Sequence, residues 1–244
     1  MTPALPAETD RLDGVAYSLW LPDDPARARG GVVILHGAGS CKENHHDFAR
    51  AVRAQGFGAI AVDLRGHGEN DGALDGRVLD DIAAMAAYLR GSLGDPDAPV
   101  VIRGSSMGGY LALLAAQPAR AAAVVAICPA GSEGLRRGLH AGRLNFDANA
   151  SALDAFLAAH DLDTAVAALD IPVLLLHAEG DEVVPVEHSR ALATRLRSPA
   201  SRLITIPGGH HRSIQHDEEL QAVSLRFIER SVAADRAGHS LPGV

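Results

Sequence analysis

Six short runs rich in Val, Ile, Leu and Ala, at residues 32–35, 59–62, 100–102, 123–127, 173–176 and 203–206, alternate with stretches of helical spacing at 44–55, 78–90, 107–117, 186–196 and 218–230. Brief apolar runs of this kind read as strands buried on both faces, and their regular alternation with helices predicts a parallel sheet covered by helices on each side. In such an α/β sheet, ligands gather beyond the carboxyl ends of the strands, so the chemistry is to be sought in the loops that leave them. Residues 12–21 read as an added antiparallel edge. The rhythm breaks once, at residues 129–170, an interval too long for an ordinary connection. Asn149 or Ser151 is suited to cap a helix running through Leu153, Phe156 and Leu157, so this interval is expected to form a short helical lid within a single domain spanning 1–244. Residues 234–244, with Gly238, Pro242 and Gly243, read as a frayed tail.

Composition narrows the partners. The 244 residues are 47% hydrophobic, enough for a large core, and carry a formal charge of -8, which argues against sequence-independent binding to nucleic acid or to anionic membranes. Cys41 and Cys128 lie far apart with no C-x-x-C spacing, so neither a disulfide framework nor a thiolate zinc site is expected. Residues 1–10 hold two prolines and two acids in place of a basic patch and apolar run, and the chain has no 18-residue apolar stretch. A cytoplasmic protein with small-molecule partners is expected.

Gly104-Ser105-Ser106-Met107-Gly108 falls where the third apolar run meets a helical stretch. A strand entering a helix through Gly-x-Ser-x-Gly makes a tight, strained turn that lifts the middle serine above the sheet edge, and glycine flanks relieve the crowding across it. Ser106 is therefore the candidate nucleophile. A serine hydroxyl is weak at neutral pH, so it needs an imidazole to take its proton and a carboxylate to hold that imidazole. Asp181, in the loop after the fifth run, is the candidate acid; Gly180 lets the chain bend there and Pro185 suits the first turn of the next helix. Glu179, Glu182 and Glu133 are the substitutes. Among 12 histidines, His188, His216 and His239 fall in helices or the tail, whereas His210 and His211 occupy a glycine-softened loop immediately after the last run. Adjacent side chains point apart, so one of the two faces the site; His211 is preferred and His210 is the alternative. A metal site from His210, His211 and His216 is disfavoured, because no H-E-x-x-H accompanies them. No cofactor is required.

The transition state of acyl transfer puts negative charge on the carbonyl oxygen, and backbone N–H groups aimed there stabilise it. Met107, at the start of the helix, offers one such amide. The loop His36-Gly37-Ala38-Gly39-Ser40 offers the other, with Ala38 preferred and Gly37 behind it.

Taken together, His36-Gly37-Ala38-Gly39, Asp63-Leu64-Arg65-Gly66-His67-Gly68, the Gly104–Gly109 elbow, and Gly180-Asp181 followed by Gly208-Gly209-His210-His211 resemble the α/β-hydrolase fold family, in its serine esterase, lipase and aminopeptidase branch that includes monoacylglycerol lipases. The resemblance spans most of the chain. It implies Ser106, Asp181 and His211 as a catalytic triad, the last through its Gly-x-x-His spacing from Gly208, with Ala38 and Met107 as oxyanion donors. Two departures stand out: Ser105 sits where many relatives carry His, and the lid is short with few aromatics, which disfavours a long-chain lipid. Asp63 and His67 are read as pinning the loop after the second core strand.

The expected reaction is hydrolysis of a small carboxylic ester or thioester through an acyl-enzyme. Acyl transfer or cleavage of small amides would use the same machinery, and a non-catalytic ligand-binding homologue would have no need of it. Arg136, Arg137, His140 and Arg143 form a basic cluster on the lid, readable either as a solvated face or as a contact for an anionic substrate.

Overall fold

Strand β5 (Val100–Ser105) is buried along its whole length and lies between two parallel neighbours, β3 (Gly31–Leu35) and β6 (Ala121–Ile127). Around this centre the computed structural model, which describes residues 4–239, builds an eight-stranded sheet. The other strands are β1 (Glu8–Leu12), β2 (Val15–Trp20), β4 (Gly58–Val62), β7 (Val173–Ala178) and β8 (Arg202–Ile206), and the order is β1-β2-β4-β3-β5-β6-β7-β8. All pairings from β4 to β8 are parallel; β2 runs antiparallel to β4 and to β1. The expected single edge at 12–21 is therefore a hairpin. Its turn, Asp13-Gly14, has positive φ at both residues, the backbone a tight hairpin of right-handed twist requires.

The sheet sorts its side chains by strict alternation. Val33, Leu35, Ile60, Val62, Val100 and Ile102 face one core with helices α2 (Val78–Ser92) and α3 (Met107–Ala115). Val32, Ile34, Ala59, Ala61 and Val101 face the other, with α1 (His46–Ala54) and α8 (Glu218–His239). Helix α7 (Val186–Ala193) packs beside β7 and β8. Residues 234–239, read as tail, instead continue α8; the rest of that expected tail, 240–244, lies outside the described residues.

Between β6 and β7 run α4 (Ser132–His140), α5 (Ala150–Ala159) and α6 (Leu162–Ala167). Asn149 Oδ1 accepts from Ala152 N–H at 3.2 Å and Asp161 Oδ1 from Thr164 N–H at 2.8 Å, which starts α5 and α6. Backbone bonds from Leu74 N–H to Asp147 O (2.9 Å) and Asp147 N–H to Gly66 O (3.1 Å) tie this insertion to the loop after β4.

That loop is itself pinned. Asp63 and Lys42, both inaccessible to solvent, form an ion pair at 2.8 Å, and Asp63 also accepts from the backbone N–H groups of Lys42 (2.8 Å) and Glu69 (2.9 Å). Glu43 and Glu69 complete the shell around the Lys42 ammonium. His67 Nδ1–H donates to Arg65 O, and its ring packs 4.3 Å from Phe146 of the insertion.

Candidate active site

Every strand from β3 to β8 delivers a chemically distinctive residue at the same edge of the sheet: His36, Asp63, Ser106, Cys128, Asp181 and His211 in the loops after β3, β4, β5, β6, β7 and β8. Ser106 sits between β5 and α3 with φ 54 and ψ −119, a strained conformation for a residue bearing a side chain. A Cβ on Gly104 would lie 2.1 Å from Gly108 O, and one on Gly108 would lie 2.4 Å from His36 O, so only glycine lets the turn close. Ser106 remains half-buried while both neighbours are buried. Its backbone is held by Ser106 N–H to Ile127 O (2.8 Å) and Ala130 N–H to Ser106 O (3.0 Å).

The loop after β3 presses on this serine. A Cβ built on Gly37 would approach Ser106 Cβ to 3.2 Å and Ser106 Oγ to 3.8 Å. Gly37 and Ser40 close a turn, with Ser40 N–H on Gly37 O at 3.2 Å, and this turn carries the Ala38 amide. His36 underlies the loop in a fixed tautomer: Nδ1–H donates to Gly37 O (2.8 Å) and Nε2 accepts from Leu64 N–H (3.0 Å). Burial lowers its pKa to about 4, so the imidazole stays neutral. Across the turn, Met107 begins α3, where N–H groups have no intrahelical acceptor and the helix dipole is positive.

Asp181 and His211 meet. Asp181 Oδ2 accepts from His211 Nδ1–H at 2.7 Å, while Oδ1 accepts from the Val183 and Val184 N–H groups at 2.8 Å each. The Asp181 carboxylate is fully enclosed, and the His211 side chain keeps 10% exposure. Burial pushes the Asp181 carboxyl up, yet the hydrogen bonds from Val184, His211, Val183 and Cys128 outweigh it and hold it below the usual carboxylate range. His210, the alternative base, is exposed. Of the substitute acids, Glu179 pairs with Arg190, Glu133 with Arg137, and Glu182 accepts from the His211 backbone N–H at 3.3 Å.

Two residues around Asp181 escaped sequence reasoning. Cys128 is buried with φ 42, and burial first, then its hydrogen bond to Asp181, pushes its thiol up to about 12. The thiol is thus held protonated beside the carboxylate. His177 donates Nε2–H to Val184 O at 2.9 Å and accepts from Ser189 Oγ–H at Nδ1, which braces the acid loop from beneath. The position of Cys128 just after the fourth run was the one available signal. Cys128, Asp181 and His211 are the single trio of potential metal donors within 4.8 Å of one another among the described residues. In this trio the Cys128 thiol is held protonated and the His211 imidazole is already bound to the Asp181 carboxylate.

The basic cluster of the insertion is divided. Arg136 and His140 both bind Asp154 of α5, at 2.9 and 2.7 Å, so they join α4 to α5; Arg137 and Arg143 are exposed. The underside of the insertion is apolar. Met107 and Tyr110 of α3 face Leu135, Leu153, Phe156 and Leu157 across a cavity of about 10 Å³, about the space of one water.

The sequence agrees with known proteins along most of its length. The family described as serine aminopeptidase, S33, matches residues 26–144 and 148–219. The chain belongs to this family and is a hydrolase of the α/β-hydrolase fold. It is 30% identical over 253 residues to a monoacylglycerol lipase of Mycolicibacterium smegmatis (strain ATCC 700084 / mc(2)155), covering 84% of this chain and 88% of that protein. Among solved structures, Est1E of Butyrivibrio proteoclasticus with ferulic acid bound superimposes with a TM-score of 0.72 at 22% identity, covering 93% of this chain and 100% of that one. DcsB in complex with its substrate analogue gives 0.76 at 18% identity, over 93% and 98%. A soluble variant of Saccharomyces cerevisiae monoglyceride lipase gives 0.72 at 16%, over 95% and 96%. No helix among the described residues is long and apolar enough to cross a membrane.

Proposed function

We propose that this hydrolase cleaves a small carboxylic ester or thioester through Ser106, His211 and Asp181. The observation that carries the reading is the Asp181–His211 hydrogen bond, formed at the same sheet edge as the strained turn that presents Ser106. Asp181 fixes the imidazole tautomer with Nδ1 protonated, which leaves Nε2 free to accept the Ser106 proton as Oγ attacks the carbonyl carbon. The amides of Met107 and Ala38 receive the developing oxyanion. His211 then protonates the leaving alcohol or thiol, activates a water against the acyl-enzyme, and restores Ser106 as the acid departs. Ionised Asp181 stabilises the imidazolium in both steps.

The insertion at 129–170 acts in this reading as a short lid over the single domain. Its apolar underside beside Met107 supports seating of the acyl group there once the insertion shifts, since the cavity as it stands has room for about one water, and a short chain needs the smaller shift. Arg136 and His140, already paired with Asp154, brace the lid; Arg137, exposed and paired with Glu133, and exposed Arg143 would meet an anionic substrate at the surface. Free thiols at Cys41 and Cys128 fit a reducing, cytoplasmic setting. A panel of esters and thioesters graded by acyl length and charge, run on wild type and Ser106→Ala, tests the proposal. Turnover on short neutral acyl groups, lost by several orders of magnitude in the folded variant, is expected. Equal rates in the two proteins would overturn it.

A further inference from the structure

Arg103 is a buried charge on the nucleophile strand that neither the fold nor the catalytic cycle accounts for. It lies three residues before Ser106, on the same face of β5 as Val101, and is 1% exposed. An arginine at such a place is expensive: its charge is removed from water without a carboxylate in contact, where an apolar residue would pack at no such cost. Its guanidinium stacks on Phe48 of α1, 3.9 Å from the ring centroid. Only Nη2 has a protein acceptor, Gln215 O at 2.9 Å; Nε and Nη1 have none among the described residues. Burial lowers its pKa to about 10, so the group is still a cation at neutral pH.

Gln215 belongs to the segment that carries His211. This loop leaves β8 at Ile206, runs through two glycines of positive φ, and is exposed over most of its length. It returns to the body of the protein at Ile214, Gln215 and His216. Ile214 is buried, Gln215 O meets Arg103, and His216 Nδ1 lies 3.0 Å from Asp47 Oδ2 on α1, which also accepts from Gln221 Nε2–H at 2.7 Å. The groups around the guanidinium are thus Asp47, His45 and Phe48 from the α1 side and Gln215 and His216 from the loop. Among the described residues, the Arg103–Gln215 contact is the side-chain hydrogen bond that joins that loop to the strand ending in the nucleophile.

We infer that Arg103 is a positioning residue: its hydrogen bond to the Gln215 carbonyl ties the histidine-bearing loop to the nucleophile strand and so sets the reach of His211 toward Ser106. The inference rests on the proposed roles of Ser106 and His211. Proton transfer demands heavy-atom contact near hydrogen-bond length, so a loop free to drift by an ångström loses turnover while the substrate still binds.

Arg103→Met keeps the bulk and the stacking on Phe48 but donates nothing; Arg103→Lys keeps the charge and one donor in reach of the carbonyl. The expected result is kcat lowered by roughly 10- to 100-fold in the Met variant with KM nearly unchanged, and a smaller loss in the Lys variant. Amide exchange of residues 211–216 should accelerate in the Met variant, and the low-field proton of the His211 Nδ1–H bond, assigned by its absence in His211→Ala, should broaden. Wild-type kcat together with wild-type exchange in Arg103→Met would overturn the inference, as would equal losses in both variants with the loop unchanged. If the Met variant does not fold, Arg103→Lys and Arg103→Gln carry the same comparison. The exchange and proton spectra need no turnover. An inert wild-type enzyme whose loop still loosens in Arg103→Met would overturn the hydrolytic reading alone and leave the tether standing.

Discussion

Gly104→Ala places one methyl group where the elbow has least room. Its Cβ would lie 2.1 Å from Gly108 O and 2.3 Å from the Gly108 carbonyl carbon. Ordinary contact between such atoms is about 3.5–4.0 Å, so the overlap exceeds about 1 Å. Both obstructing atoms are backbone, which rules out relief by a side-chain rotation; β5 and α3 must separate. Overpacking of this kind costs typically 1–3 kcal/mol, and a collision of main chain with main chain belongs at the upper end. For a chain of this length each kcal/mol corresponds to roughly 2–4 °C, so Tm should fall by about 6–12 °C. If the strain is relieved by moving Ser106 about 1 Å, turnover falls about 100-fold as well. Gly91→Ala in α2 is the control, because nothing lies within 4 Å of its new Cβ. Gly91 lies in the last turn of α2, so the exchange gains no more than the about 0.8–1 kcal/mol of a helix interior and Tm should stay level or rise by up to roughly 2–4 °C. Thermal melts and hydrolysis of a short p-nitrophenyl ester read both effects. A Gly104→Ala protein that melts with wild type and turns over at full rate would refute the steric account of the elbow.

Other expectations follow from the buried polar groups and the insertion between β6 and β7. His36, neutral when folded with a pKa near 4, gains a proton at about 6.5 once unfolded, so the unfolded state binds more protons between these values and stability falls as pH drops from 6.5 to 4. The loss approaches about 3 kcal/mol, from about 1.4 kcal/mol per pH unit, and urea melts at pH 7, 5.5 and 4.5 on wild type and His36→Gln should show it shrink in the variant. Lys42→Met strands the enclosed Asp63 carboxylate and should cost about 3–5 kcal/mol; a urea midpoint close to wild type would show that the ion pair carries no such weight. Phe156→Ala should lower stability by about 3 kcal/mol and shift the preferred acyl group toward longer chains, whereas an unchanged chain-length profile would place the acyl group elsewhere.

How much of this was legible depended on where the determinants lie. Five of the six core strands were readable because strands buried on both faces leave continuous apolar runs; β8, at the sheet edge, keeps such a run although its residues are exposed or half-buried, and the loops after these strands hold Ser106, Asp181 and His211. Arg103 made β5 seem to end at Ile102, though the strand continues to Ser105; its partners, Phe48 and Gln215, are far away in sequence. The same holds for Lys42, which looks like a surface lysine until Asp63 is folded against it, and for His177 and Cys128, whose roles appear only when β6 and β7 set them beside Asp181. Asp13-Gly14 was a readable hairpin signal hidden by treating 12–21 as one strand. The division of the insertion's basic cluster by Asp154 is likewise a contact between helices that no local pattern announces.

The most direct trial of the central claim is stoichiometric reaction with a fluorophosphonate, followed by peptide mass mapping. One phosphonyl group per chain, located on Ser106, absent in Ser106→Ala and formed far more slowly in His211→Ala, is the predicted result. A folded wild-type protein that stays unlabelled, or labels on another residue at an equal rate in all three proteins, would contradict it.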